Sequence, residues 1–249
     1  MTIQIKFLGT GAAVATARRD NTSVLAVCGS KKILLDCPGS VVPKLAELNV
    51  DFRDINAVFI SHFHPDHVYG LPSLIHSLKP GGIFPDIFVP EKLLGRTTDM
   101  LKIFNLGSTA KIIPVKAGDK MEKFNLSFFK TPHTKASLGA KIETKERTLV
   151  YTSDTGPLGG GAAIFRNADA LIHDCYALSK FKKEIDELDK THSSALSVGR
   201  IAAASGVKKL FCVHFSGEVD FSEESIIKEV RKNYPGEVII PRDLDSYSI

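Results

Sequence analysis

Positions 57–70 read AVFISHFHPDHVYG, a short apolar run that delivers His62, His64, Asp66 and His67 into six consecutive positions. The chain has eight histidines, so more than a third of them sit at one strand end. Adjacent imidazoles and a carboxylate are costly to desolvate unless a cation organises them, and imidazole is the commonest metal ligand. His62 and His64 lie two apart in an extended segment, so both point to one side. Asp66 and His67 follow in what reads as the first turn of a helix, where Asp66 would suit the helix dipole in any case. Four ligands in so short a stretch cannot all reach one ion with good geometry. Two ions about 3.5–4 Å apart would use them. The fold must then bring more His or Asp side chains to this place from distant strand ends.

Three positions qualify. His133 follows the strand-like LSFFKTP, Asp154 lies in SDTGP after TLVYTS, and His214 follows KKLFCV. An aspartate in a turn is commonly just a turn residue. What raises the three together is that each falls at the same place in the strand-then-loop order.

The rest of the chain narrows the class. Its 249 residues are 43% apolar and 24% charged with no low-complexity tract, as expected of one globular domain over 1–249. Apolar runs such as AVFI and LFCV are far shorter than the roughly 20 residues of a membrane span. MTIQIKFLGTG alternates like a strand and does not read as a signal peptide. A cytoplasmic protein without a membrane partner is expected. Cys28, Cys37, Cys175 and Cys212 show no CxxC spacing, which fits buried, reduced thiols. The net charge of +4 tolerates an anionic substrate but does not indicate nucleic-acid binding.

Strand patterns open each half: IQIKFLG, TSVLAV, KKILLD and NAVFI in the first, LSFFKT, LGAKIET, RTLVYTS, ADALIHD and KKLFCV in the second. Cys28 to Lys31 and the Lys145-Glu146 pair read as hairpin turns. Helices are expected over 40–48, 66–78, 91–104, 193–205 and 221–233. Two β-rich halves with helices outside them make a layered α/β sandwich.

HxHxDH at 62–67, with lone His133, Asp154 and His214 at strand ends, resembles the hydrolases of the metallo-β-lactamase fold. FLGTGAA (7–13), LLDCPG (34–39) and HVYGLPSL (67–74) resemble their ribonuclease Z and phosphodiesterase branch. The resemblance implies an αββα four-layer sandwich. It implies that His62, His64 and His133 hold one metal ion, that Asp66, His67 and His214 hold a second, and that Asp154 bridges them with a hydroxide as the attacking group. Two carboxylates and a hydroxide against two dications leave a small positive excess, suited to a phosphodiester. The N/O ligand set fits Zn²⁺, with Mn²⁺ or Fe²⁺ as the other choices. Asp36, ending ILLD, is expected either to hydrogen-bond a ligand histidine or simply to turn the chain.

His76 and His173 read as structural. His192, in THSSALSVG, could be a plain helix flank, but it resembles the HST segment of ribonuclease Z-like enzymes. In that branch a histidine acts near the leaving group and is supported by an acidic residue, which Asp174 in HDCY would supply. Asp66, His192 and Asp174 form the candidate catalytic set.

Departures from ribonuclease Z concern RNA rather than chemistry. His133 and Asp154 are 21 positions apart, too close for a tRNA-gripping arm between them. Gly156 and HFSGEVD also lack arginines usual in that enzyme. The first expectation is therefore a phosphodiesterase for a small or nucleotide-like anionic diester, with RNA not favoured and a homodimer admitted. A tRNA 3′-processing endonuclease is the alternative. Thioester or lactone hydrolysis on the same metal site is a further one, and a binding protein without turnover is the non-enzyme reading.

Overall fold

Alternation decides which side chains meet in this molecule. In the strand Lys209–Val213, Leu210 and Cys212 turn to one face of a sheet and Phe211 and Val213 to the other, all buried. A strand buried on both faces needs a layer on each side. The computed structural model describes residues 2–158 and 163–249 and supplies those layers.

The first sheet holds β1 (Ile3–Gly9), β2 (Ser23–Cys28), β3 (Lys31–Leu35), β4 (Ala57–Phe59), β5 (Asp86–Pro90) and β6 (Ile112–Val115). The second holds β7 (Lys120–Met121), β8 (Leu126–Lys130), β9 (Leu138–Glu143), β10 (Thr148–Tyr151), β11 (Ala170–Asp174), β12 (Lys209–Val213) and β13 (Glu237–Ile239). β14 (Ser246–Ser248) returns to the first sheet beside β1. The orders are β14-β1-β2-β3-β4-β5-β6 and β13-β12-β11-β10-β9-β8-β7. In each sheet an antiparallel half passes into a parallel half, at β3–β4 in the first and β10–β11 in the second.

Between the sheets, Ile5, Phe7, Leu35, Phe59 and Phe88 meet Phe128, Ile142, Tyr151, Ile172 and Phe211. Each such side chain contributes about 1.5–3 kcal/mol by leaving water. Outside the first sheet pack α1 (Val41–Glu47), α2 (Pro65–Val68), α3 (Gly70–Leu78) and α4 (Leu94–Ile103). Outside the second pack α5 (Ala195–Ser205) and α6 (Glu223–Val230). The expected four-layer αββα sandwich is the fold, and all four cysteines are free and buried.

The helix expected over 66–78 is two helices. Tyr69 divides them, and Gly70 N–H donates to the Cys37 carbonyl at 2.8 Å. A Cβ on Gly70 would lie 1.9 Å from the Pro38 carbonyl oxygen, so only glycine lets this turn press against the loop after β3. The helix expected from 91 starts as a 3-10 turn and becomes α-helical at Leu94. Ser194 and Ser222 cap α5 and α6 by accepting from Ser197 N–H and Ser225 N–H.

Candidate metal centre

Parallel strands place their carboxyl ends along one edge, and loops leaving that edge converge. Ser61 to His67 leave β4, Asp154 leaves β10, Asp174 ends β11 and His214 follows β12. His133 arrives from β8. Two of these departures are left-handed: His214 has φ +62° and Ser153, beside Asp154, has φ +53°. Non-glycine residues rarely hold such angles, and sites that need a particular side-chain aim are where they collect.

All seven residues expected as ligands come together, in two groups. His62, His64, His133 and Asp154 form one, and Asp66, His67 and His214 form the other. Asp154 stands between them with one oxygen for each. Its Oδ2 lies 3.6 Å from His62 Nε2 and 3.5 Å from His133 Nε2, while His64 Nδ1 is 3.1 Å from His133 Nε2. Its Oδ1 lies 3.2 Å from His67 Nε2 and 3.1 Å from His214 Nε2. Asp66 Oδ2 closes the second group at 3.3 Å from His67 Nε2 and 3.6 Å from His214 Nε2.

The donor atoms fit metal ions. His62 Nε2, His67 Nε2, His214 Nε2 and Asp154 Oδ1 are buried without a hydrogen-bond partner. Orphaned polar atoms aimed at one another are expensive unless a cation serves them all. Burial first, then the neighbouring imidazoles, hold His62 well below its ordinary pKa, and burial also lowers His64 and His133. These three stay neutral, as ligands must. Burial also opposes charge on His214, but Asp154, Asp174 and Asp66 outweigh it and push its pKa up to about 10. His67 rises for the same reason, beside Asp154 and Asp36, and Asp154 is held low by His214, His67 and His62 against its own burial. The second group thus draws positive charge to itself. The arrangement is consistent with a dinuclear centre.

Neighbours set the ring orientations. His133 Nδ1 donates to the Thr191 carbonyl at 3.0 Å, leaving Nε2 toward Asp154. His67 Nδ1 donates to Asp36 Oδ2 at 2.8 Å. Asp36 does far more than end a strand. Fully buried and at φ +62°, it also accepts from Ser61 N–H (2.8 Å), Ser61 Oγ (2.8 Å), Tyr151 OH (2.7 Å) and Ser153 Oγ (3.0 Å). Ser61, Tyr151 and Ser153 carry no ligand-like signal in the sequence. Only the LLDCPG segment pointed toward this hub.

His192 and Asp174 also meet. His192 Nδ1 donates to Asp174 Oδ2 at 2.8 Å, and Thr155 N–H donates to the same oxygen at 3.0 Å. The other oxygen of Asp174 lies 3.7 Å from His214 Nδ1, so one buried carboxylate faces both imidazoles. His76 sits on α3 outside the cluster, and His173 is buried with Nδ1 donating to the Asp174 carbonyl. Between His133 and Asp154 the chain is taken up by the β9–β10 hairpin, closed by Thr144 N–H on the Arg147 carbonyl at 2.9 Å.

A four-layer sandwich with two His/Asp groups at the strand ends defines a metal-dependent hydrolase of the metallo-β-lactamase superfamily. Within it, the chain belongs to the Anti-Pycsar protein Apyc1 family, whose match spans residues 3–196. A ribonuclease Z of Methanosarcina acetivorans is 26% identical, over 97% of this chain and 96% of that one. Among solved structures, the metallo-β-lactamase fold protein YhfI of Bacillus subtilis superimposes with a TM-score of 0.88 at 22% identity, covering both chains fully. Human tRNase Z, short form, gives 0.78 at 22% identity over 98% of each chain. No helix among the described residues is long and apolar enough to cross a membrane.

Proposed function

We infer that the chain is a dinuclear phosphodiesterase, acting on a small or nucleotide-like phosphodiester. The observation that carries this is Asp154, with one carboxylate oxygen turned to each ligand group. His62, His64 and His133 would hold one ion, Asp66, His67 and His214 the other, and Asp154 both. Oxygen and nitrogen donors without thiolate suit Zn²⁺. Ions in such a pair supply Lewis acidity and a nucleophile at neutral pH.

The chain's own residues do the rest. Asp174 occupies His192 Nδ1, so Nε2 is the nitrogen left to deliver a proton to the departing oxygen. Asp66 completes the second group and places its negative charge beside His67 and His214.

A second reading is processing of precursor tRNA, and the names of the relatives speak for it. The short β9–β10 hairpin speaks for a small substrate. So does the alignment with the Methanosarcina ribonuclease Z, which runs to 299 positions against 249 residues here, so the relative carries at least 50 positions this chain lacks. The test is turnover by metal-loaded protein of a chromogenic phosphodiester, a cyclic nucleotide, a phosphomonoester, a thioester and a precursor tRNA. Preference for a diester nucleotide supports the first reading. Efficient, accurate cleavage of precursor tRNA replaces it with the second, and preference for the thioester overturns both.

A further inference from the structure

His192 is tied by one hydrogen bond, and one bond does not fix a ring. The Nδ1 contact to Asp174 leaves the imidazole free to swing about the line joining the two atoms, carrying Nε2 with it. Something else must set the plane. The Tyr176 ring lies 4.4 Å from His192 with an interplanar angle of 27°, and it also packs 5.9 Å from His214. The His192 and His214 rings stack on each other, 5.2 Å apart and 11° from parallel, and His133 meets the edge of His192 at 4.8 Å and 62°. Tyr176, His192 and His214 form a triangle of contacts, with Tyr176 as its one member outside the histidine cluster.

The backbone of Tyr176 is pinned from both sides. Its N–H donates to the Ser193 carbonyl at 2.9 Å, next to His192, and its carbonyl accepts from Ser216 N–H at 2.9 Å, two residues beyond His214. Its hydroxyl reaches Glu218 Oε2 at 3.4 Å, a long bond at the rim. The ring is thus carried by the two loops it must keep in register, and its phenolic end is the weaker attachment. A face-to-face contact of this kind favours one orientation of the imidazole over the others.

We propose that Tyr176 is a positioning residue for His192: its ring, not its hydroxyl, fixes the plane of the imidazole and so the aim of Nε2 at the leaving oxygen. This rests on the reading of His192 as the proton donor. Proton delivery is sensitive to placement, and a misplacement of about 1 Å can cost on the order of a hundredfold. Loss of the ring should therefore weaken turnover most where the leaving oxygen most needs a proton.

The experiment compares Tyr176→Leu, Tyr176→Phe, His192→Ala and the Tyr176→Leu/His192→Ala double variant on two diesters. One loses an alkoxide, as a nucleotide does, and the other loses nitrophenolate, which departs without help. The readout is the ratio of kcat/KM on the two substrates, with metal content measured for each variant. The expected result is a ratio shifted about tenfold against the alkoxide in Tyr176→Leu. It should be close to wild type in Tyr176→Phe and no worse in the double variant than in His192→Ala. An unshifted ratio in Tyr176→Leu, an equal shift in Tyr176→Phe, or loss of metal in either overturns the proposal while leaving His192 as the acid. An unshifted ratio in His192→Ala overturns the role of His192 and the positioning role with it.

Discussion

Asp36→Asn tests how much of the centre is held from behind. The substitution keeps shape, and asparagine tolerates the left-handed backbone at this position. Chemistry is what changes. Oδ1 takes one donor, Ser61 N–H, and Oδ2 takes Ser61 Oγ, His67 Nδ1, Tyr151 OH and Ser153 Oγ. Whichever way the new amide turns, its NH₂ confronts a donor. The cheaper choice places it against Ser61 N–H, leaving that buried group unpaired at about 1–3 kcal/mol. The bonds from Ser61 Oγ, Tyr151 OH and Ser153 Oγ become neutral, each worth roughly 0.5–1.5 kcal/mol in place of about 1.5–3, and His67 loses its carboxylate partner. Relief from burying a charge offsets part of this. The net expectation is a loss of about 2–4 kcal/mol in the metal-stripped protein, read by urea unfolding. Because the bond that orients His67 weakens too, metal affinity should fall about 10–100-fold in competition with a chelating dye. A variant within about 1 kcal/mol of wild type and with unchanged metal affinity would refute the idea that Asp36 organises the site.

Asp154→Ala should leave fewer than two ions per chain after dialysis by elemental analysis, because no other side chain among the described residues turns one oxygen to each group. Metal binding to stripped protein should release protons at pH 7: His67 and His214 have pKa values raised by surrounding carboxylates, so both carry protons that a ligand imidazole must give up. Affinity should accordingly rise with pH, and calorimetry in buffers of different ionisation enthalpy measures the proton count. Precursor tRNA should bind no tighter than micromolar at physiological salt in a gel shift, since few phosphates can be neutralised by a chain with net charge +4 and a bare hairpin in place of an arm.

The sequence was most legible where burial imposes a pattern. The interior strands β1 through β4 and β8 through β12 show as alternating or apolar runs because both or one of their faces are covered. Of the five strands not expected, β6, β7, β13 and β14 are the two edges of each sheet, while β5 is an interior strand hidden behind the Gly- and Pro-rich stretch KPGGIFP that leads into it. Edge strands pair on one side only, so short polar stretches such as Ser246–Ser248 suffice, and β6 even accepts Pro114. The convergence of the seven candidate ligands was readable because His62 to His67 are contiguous and the other three are His or Asp at strand ends. The support behind it was not, since a tyrosine on β10 or a serine after it has the same local pattern whether it packs inertly or holds a carboxylate. The break at Tyr69 escaped periodicity as well, because α2 and α3 keep apolar residues in phase across it.

The two ligand groups draw on both sheets: His62 to His67 hang from the first, His133, Asp154 and His214 from the second. An ion held there is a clasp across the seam of the sandwich. Its grip depends on supply, since a ligand that binds only the folded chain at a hundred times its Kd stabilises by about 2.7 kcal/mol. Against a total that for proteins in general is only about 5–15 kcal/mol, the same ions that do the chemistry would set how long the chain survives proteases. Scarcity of metal would then remove the protein itself as well as its activity.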